Sequence, residues 1–176
     1  MRPAELRSGK GDDPLGLKRE HEWDRTNVPL FVRKAVYRYD QRLINLVIRE
    51  EIRVFRRRKV IKKRLSYDPV FIDRLAKDEG TTFFIAETVA GEFLGMMGVR
   101  INPHFYGPQG YILCAYVVPV ERKNMTVLKA LESKVEDHVK QLGCSLLFCD
   151  VKPRGGVRVF KKNGYSHLGM SLVKEV

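Results

Sequence analysis

A nearly unbroken apolar run, GYILCAYVVP (residues 110–119), stops at Pro119 and gives way to a different period. In VERKNMTVLKALESKVEDHVKQLG (120–143), Val127, Leu128, Leu131, Val135, Val139 and Leu142 recur at helical spacing, and Gly143 marks the stop. A second short apolar run, SLLFCDV (145–151), follows at once. A strand that is apolar along its whole length is buried on both faces and belongs in the middle of a sheet. A helix joining two such strands is a crossover, right-handed, that leaves the strands parallel. This one unit limits the chain to folds in which a sheet carries helices on its faces.

The flanking segments extend the pattern. Val28 to Tyr39, containing LFVRKAVYRY, reads as a first strand, with Asp40 placed as the N-cap of a helix over residues 41–65. That helix has one stripe at Leu43, Leu46, Val47, Val54 and Ile61, broken by Glu50. A second stripe runs through Ile44, Ile48, Ile52 and Phe55. Ser66 is the expected cap of a shorter helix over DPVFIDRLAKDEG, closed by Gly80. TTFFIAETV and EFLGMMGVRI, split by a glycine-containing turn, predict a β-hairpin, and NPHFYGPQG a loop. Downstream, GGVRVFKKNG reads as a short helix and YSHLGMSLVKEV as a closing strand, with Tyr165 a core aromatic. The resulting class is α/β (an α+β mixed sheet) in the order β-α-α-β-β-β-α-β-α-β. Residues 1–27 are polar and aperiodic and are expected to form a flexible tail, with Trp23 the residue placed to pin its end to the domain; 28–176 are expected to form a single domain.

Charge is unevenly spread. The net +12 resides mostly in residues 1–66, where 19 Lys and Arg stand against 9 Asp and Glu. Residues 49–64 alone hold nine Lys and Arg and two acids. Such a run is either a face for nucleic acid or an acidic partner, or a solvated helix end whose cations suit the C-terminal dipole. No base-reading motif accompanies it, so any nucleic-acid binding would be electrostatic and salt-sensitive. Cys114, Cys144 and Cys149 have no paired spacing and read as reduced thiols of a cytosolic protein. His21, His104, His138 and His167 fall at no ligand spacing, so no metal site is expected. No stretch approaches the length of a membrane span, and the N-terminus lacks a signal-like apolar core, which together predict a cytoplasmic protein.

Two motifs carry a resemblance. VVPVERKNMTVLKALE (117–132) and VFKKNGY (159–165), in this order and with a hairpin upstream, are similar to the GNAT superfamily of acyl-CoA-dependent N-acyltransferases. The resemblance covers residue 28 to the end. It implies acetyl-CoA or another acyl-CoA as substrate and an amine of a protein or small molecule as acceptor. It implies that Arg122, Lys123, Asn124, Met125, Thr126 and Val127 hold the pyrophosphate at a helix N-terminus. Backbone amides of Tyr116, Val117 and Val118 would polarise the thioester carbonyl. The family's loop has glycine or alanine where Met125 and Val127 stand, so a β-carbon at each is expected to weaken cofactor binding. Phe160 stands where a proton-donating tyrosine is usual and Pro153 where asparagine is usual. With no acid in residues 110–118, Glu87 and Glu92 are the nearest carboxylates by sequence, and Glu87 and His104 are the catalytic candidates. These departures open a second reading: a GNAT-like fold kept as a non-catalytic interaction module, binding nucleic acid or an acidic partner through the basic helix. Reduced proteins of that kind resemble those carried by tailed phages, which would place the protein in a host cytoplasm or a virion.

Overall fold

In the computed structural model, residues 29–57, 68–122, 125–150, 161–162 and 164–166 are described. The chain forms β1 (Leu30–Lys34), α1 (Tyr37–Arg57), α2 (Pro69–Lys77), β2 (Thr81–Thr88), β3 (Phe93–Asn102), β4 (Gln109–Val117), α3 (Thr126–Gln141) and β5 (Leu147–Cys149). The strands make one sheet in the order β1-β2-β3-β4-β5. The first three pairings are antiparallel and β4–β5 is parallel, as the crossover around α3 requires. Two cores result. On one face Phe84, Ala86, Met97, Val99 and Ile112 pack under Val127, Leu131, Val135 and Val139 of α3. On the other, Phe83, Ile85, Met96, Cys114 and Tyr116 pack under Ile44 and Val47 of α1 and Ile72 of α2.

The predicted hairpin is present, turning at Gly91 in the left-handed region (φ 81°). Gly143 (φ 75°) ends α3 as expected. The first predicted strand is too long: β1 ends at Lys34 and the helix already begins at Tyr37. The β-propensity of Val36, Tyr37 and Tyr39 is overridden by a polar anchor. Asp40, 4 % exposed, lies within the first turn of α1 and is not its N-cap. Its carboxylate accepts the Val36 N–H at 2.8 Å and a two-pronged pair from Arg33 at 2.8 and 2.9 Å. Arg33 Nε also donates to Glu87 at 2.9 Å, so one guanidinium ties β1, α1 and β2 together.

Asp68 caps α2, accepting the amides of Val70 and Phe71, with Pro69 in the first turn. The expected cap Ser66 lies outside the described residues. Gly80 does not close α2; the helix stops at Lys77 with Asp78 extended. β5 is half-buried and only three residues long, not a fully buried strand. Outside the described residues lie the N-terminal tail, basic residues 58–64, nearly all of the last predicted helix with Phe160, and the closing strand beyond Ser166. The three cysteines are free. Among the described residues no helix is long and apolar enough to cross a membrane, and no group of side chains could hold a metal.

Gly95 of β3 lets α3 approach the sheet. A β-carbon there would stand 2.6 Å from the Tyr116 carbonyl oxygen and 3.1 Å from Val127 Cγ1. Since backbone cannot give way cheaply, Gly95→Ala is expected to cost about 2–3 kcal/mol in urea unfolding. Arg33, by hydrogen bonding first of all, holds the Asp40 carboxyl below the usual carboxylate range. A depressed folded-state value contributes stability at neutral pH that is lost as pH falls below about 4. Asp40→Asn is therefore expected to lose about 2 kcal/mol at pH 7, discounted for the solvent-facing edge of Arg33, and much less at pH 3. Urea titrations of both proteins at the two pH values check this.

Candidate functional site: the fork between β4 and β5

Among the described residues the parallel pair β4–β5 holds at three positions, Gly110 with Leu147, Tyr111 with Phe148 and Ile112 with Cys149. At the next residue β4 bulges. Gly98 of β3 faces Cys114 and Val99 faces Ile112, which leaves Leu113 as the extra residue. A bulge bends its strand and sharpens its twist. From Leu113 to Val117 β4 continues on β3, and among the described residues its pairing to β5 ends before the bulge, a junction named here the fork.

Of the three predicted amide donors on β4, the structure turns one toward the fork. Val118 N–H is engaged, donating to the Leu94 carbonyl of β3 at 2.9 Å. The alternation of an antiparallel ladder sends the Tyr116 amide to the same side and turns the N–H and C=O of Val117 the other way. In accord, Val117 O accepts from Arg122 Nε at 2.8 Å. The Arg122 guanidinium also lies over the Tyr116 ring, 5.5 Å from its centre, and that ring stacks on Phe93. Arg122 is thus folded back onto β4.

Past the short turn Pro119–Glu121, the loop enters α3 through Met125, at φ 61° and ψ −4°. This is the left-handed region, where glycine is at ease and methionine is not. Met125 offers no side-chain cap, and the first helical bond runs from Lys129 N–H to Met125 O. The amides of Thr126, Val127 and Leu128 therefore have no intrahelical acceptor, and no acid sits in the first turn. Val127, 1 % exposed, directs its side chain into the core beside Gly95. Its β-carbon thus belongs to the helix–sheet contact, contrary to the expectation that it would crowd the mouth. Thr126 is exposed; Lys123 and Asn124 lie outside the described residues.

The two catalytic candidates are not brought to this fork. Glu87 sits on β2 and is committed to Arg33. His104 lies in the exposed β3–β4 loop, against Phe105 and Tyr106. That loop is at the far end of β4, roughly 26 Å along the strand from Val117 at 3.3 Å per residue.

Other carboxylates approach the fork instead. Asp40, Ile44, Val47 and Glu51 fall on one line of α1 at steps of four, three and four, and the first three are buried against the sheet. Burial, then the negative charge of Glu51, pushes the Cys114 thiol of β4 up to about 12. Burial, then Asp150, Glu132 and Glu51, does the same to Cys149 of β5. Glu51 is therefore felt on both arms of the fork. From the α3 side, Glu132, 3 % exposed, lies near Tyr165, whose phenol is raised by burial first and then by the charge of that carboxylate. The spacing of Glu51 from Ile44 and Val47 is a signal in the sequence. The bulge at Leu113 left none.

The model of the acetyltransferase (GNAT) family matches residues 45–165. No curated protein matches the sequence. Solved structures share the fold at low identity. One is described as a "predicted acetyltransferase with acetyl-CoA" from Clostridium acetobutylicum: TM-score 0.66, 17% identity, covering 84% of this chain and 96% of that one. A second is a ribosomal-protein-alanine N-acetyltransferase from Brucella melitensis: TM-score 0.65, 16% identity, 84% and 99% covered. A third is glucosamine-6-phosphate N-acetyltransferase from Arabidopsis thaliana: TM-score 0.60, 18% identity, 84% and 98% covered.

If the left-handed turn at residue 125 is strained by its β-carbon, Met125→Gly should relieve it. The expected gain is about 1 kcal/mol, seen as a melting temperature higher by roughly 2–4 °C. Differential scanning calorimetry checks it; an unchanged or lower midpoint would mean that the Met125 side chain packs well enough to offset the strain.

Proposed function

The chain belongs to the acetyltransferase (GNAT) family, and from that premise we propose that it transfers an acyl group, the acetyl group first of all, from acyl-CoA to an amine. One observation carries the reading: among the described residues the parallel pairing ends at the Leu113 bulge of β4, directly upstream of a helix start without a side-chain cap. The open edge of β4 offers Val117's backbone to an extended amide-bearing chain. The first-turn amides of α3 offer an anion site at the end of the same strand. The cleft fits a ligand with a diphosphate at one end and a chain of amides leading inward.

In this reading Arg122, Lys123, Asn124, Met125, Thr126 and Val127 form the pyrophosphate loop, mainly through backbone N–H groups. The Val127 side chain stays in the core, and Met125 sets a β-carbon at the left-handed turn. Arg122 leaves the Val117 carbonyl for the phosphate, which exposes that carbonyl to the incoming chain. Acyl-CoA supplies an activated thioester. The protein supplies alignment of that carbonyl with the amine, which alone lowers the barrier by several kcal/mol. The Val117 N–H is the donor that faces the fork for the developing oxyanion. The acceptor is an amine of a protein or small molecule.

Calorimetric titration with acetyl-CoA, followed by thiol release in the presence of a panel of primary amines, tests the proposal. Saturable binding and amine-dependent release of free thiol are expected. Absence of binding at millimolar acetyl-CoA would overturn it.

A further inference from the structure

We propose that Glu51, on α1, is the general base that takes the proton from the acceptor amine. The proposal rests on the reading of the fork as the place of acyl transfer, and adds to it the residue that its own strands do not supply. β4 has no acid along its length, and Glu87 is held by Arg33.

The placement follows from the helix. α1 is docked through Asp40, Ile44 and Val47, all less than 5 % exposed. The next position on that line, four residues and about 6 Å beyond Val47, is Glu51. An amphipathic helix ordinarily keeps carboxylates off its sheet-facing line. Ile44 and Val47 pack in the same cluster as Cys114 and Tyr116 of β4, so the line points at the stretch of β4 next to the bulge. The thiols on both arms register the Glu51 charge, Cys114 on β4 and Cys149 on β5. A half-buried carboxylate over the point where the strands part stands on the face opposite α3. Acyl-CoA would enter along β4 from the α3 end, which leaves the α1 face for the amine.

The step balances. The amine nitrogen attacks the thioester carbonyl carbon, forming the C–N bond. The C–S bond breaks and its electron pair departs on sulfur. The proton lost from nitrogen goes to the Glu51 carboxylate and then to the thiolate through solvent, giving an amide and a free thiol. The Glu51 charge acts on Cys114 of β4 and Cys149 of β5, and Asp150 and Glu132 act on Cys149 as well. Both thiols stay protonated at neutral pH, so a proton-accepting limb near the carboxylate range would belong to a carboxylate.

The test compares the wild-type protein with Glu51→Gln and Glu51→Asp, using acetyl-CoA, an amine that the wild type accepts, and thiol release across pH. Glu51→Gln is expected to lose about 100-fold in kcat/KM. Its acidic limb should disappear while acetyl-CoA affinity stays within about twofold by the convention used for uniform binding. Glu51→Asp should keep the limb with part of the rate, and serves if the glutamine variant does not fold. A Glu51→Gln protein with wild-type rate and pH profile overturns the base assignment and leaves acyl transfer standing. So does a variant that loses acetyl-CoA binding together with activity, since the residue is then structural. A wild-type protein that binds acetyl-CoA but releases no thiol with any amine overturns transfer itself, and Glu51's role with it.

Discussion

A crossover helix holds two parallel strands together, and one surplus residue decides how the longer of them is shared between two cores. Up to Ile112, β4 pairs with β3 on one side and β5 on the other. The bulge at Leu113 then switches the strand's faces. Ile112 points into the core under α3, and Cys114, two residues on, points into the core under α1. Without the bulge, both would lie on the same side. Leu113 itself is 39 % exposed, an apolar side chain that neither core claims. Both cores stay sealed while the strand changes faces.

The second constraint acts through α1. A helix laid on a sheet by apolar contacts alone can rotate or slide at modest cost. The fork of Arg33 on Asp40, with Glu87 on the remaining edge, allows one arrangement. Asp40 is nearly buried and its charge is matched, so sliding α1 would strand a carboxylate without its partner. The same bond fixes the phase of the helix, and phase decides which residues eleven positions later face the strands. Asp40 thus places Glu51 without touching it.

Much of this was legible in the chain. The apolar run ending at Pro119, the amphipathic stretch to Gly143 and the short run after it predict the parallel unit, because burial on both faces leaves no other use for such strands. The hairpin was legible from its glycine turn. The start of α1 was not, because strand propensity at Val36 to Tyr39 competes with the salt bridges of Arg33 to Asp40 and Glu87, and Glu87 lies 54 residues from Arg33. The site was legible as a loop but less so as a geometry. Met125 occupies a left-handed position that residue type argues against, and Val127 is a core residue whose substitution for a small one says little about the mouth. Glu51 was hidden because it neighbours Glu50, which reads as a break in an apolar stripe. Only the phase set by Asp40 separates the two: Glu50 accepts from Arg53, and the half-buried Glu51 follows Asp40, Ile44 and Val47 on one line of the helix.

The charge of the molecule gains meaning at this scale. A chain with net charge +12 would be expected to attract anions everywhere, yet the described part of the fork is divided. At the Val117 end, α3 begins without an acid in its first turn, its dipole is positive there, and Arg122 is close by. About 10 Å back along β4, three residues at strand spacing, Cys114 and Cys149 lie under the influence of Glu51, with Asp150 and Glu132 also acting on Cys149. A ligand with an anionic end and a partner that must arrive as a cation and react as a free amine need opposite potentials a short distance apart. A sheet edge alone cannot make them, because strand dipoles largely cancel. The bulge at Leu113 lies between a helix start at one end of the strand and the charge of a helix-borne carboxylate nearer its middle, so the two ends of one strand differ in potential although the chain as a whole is basic.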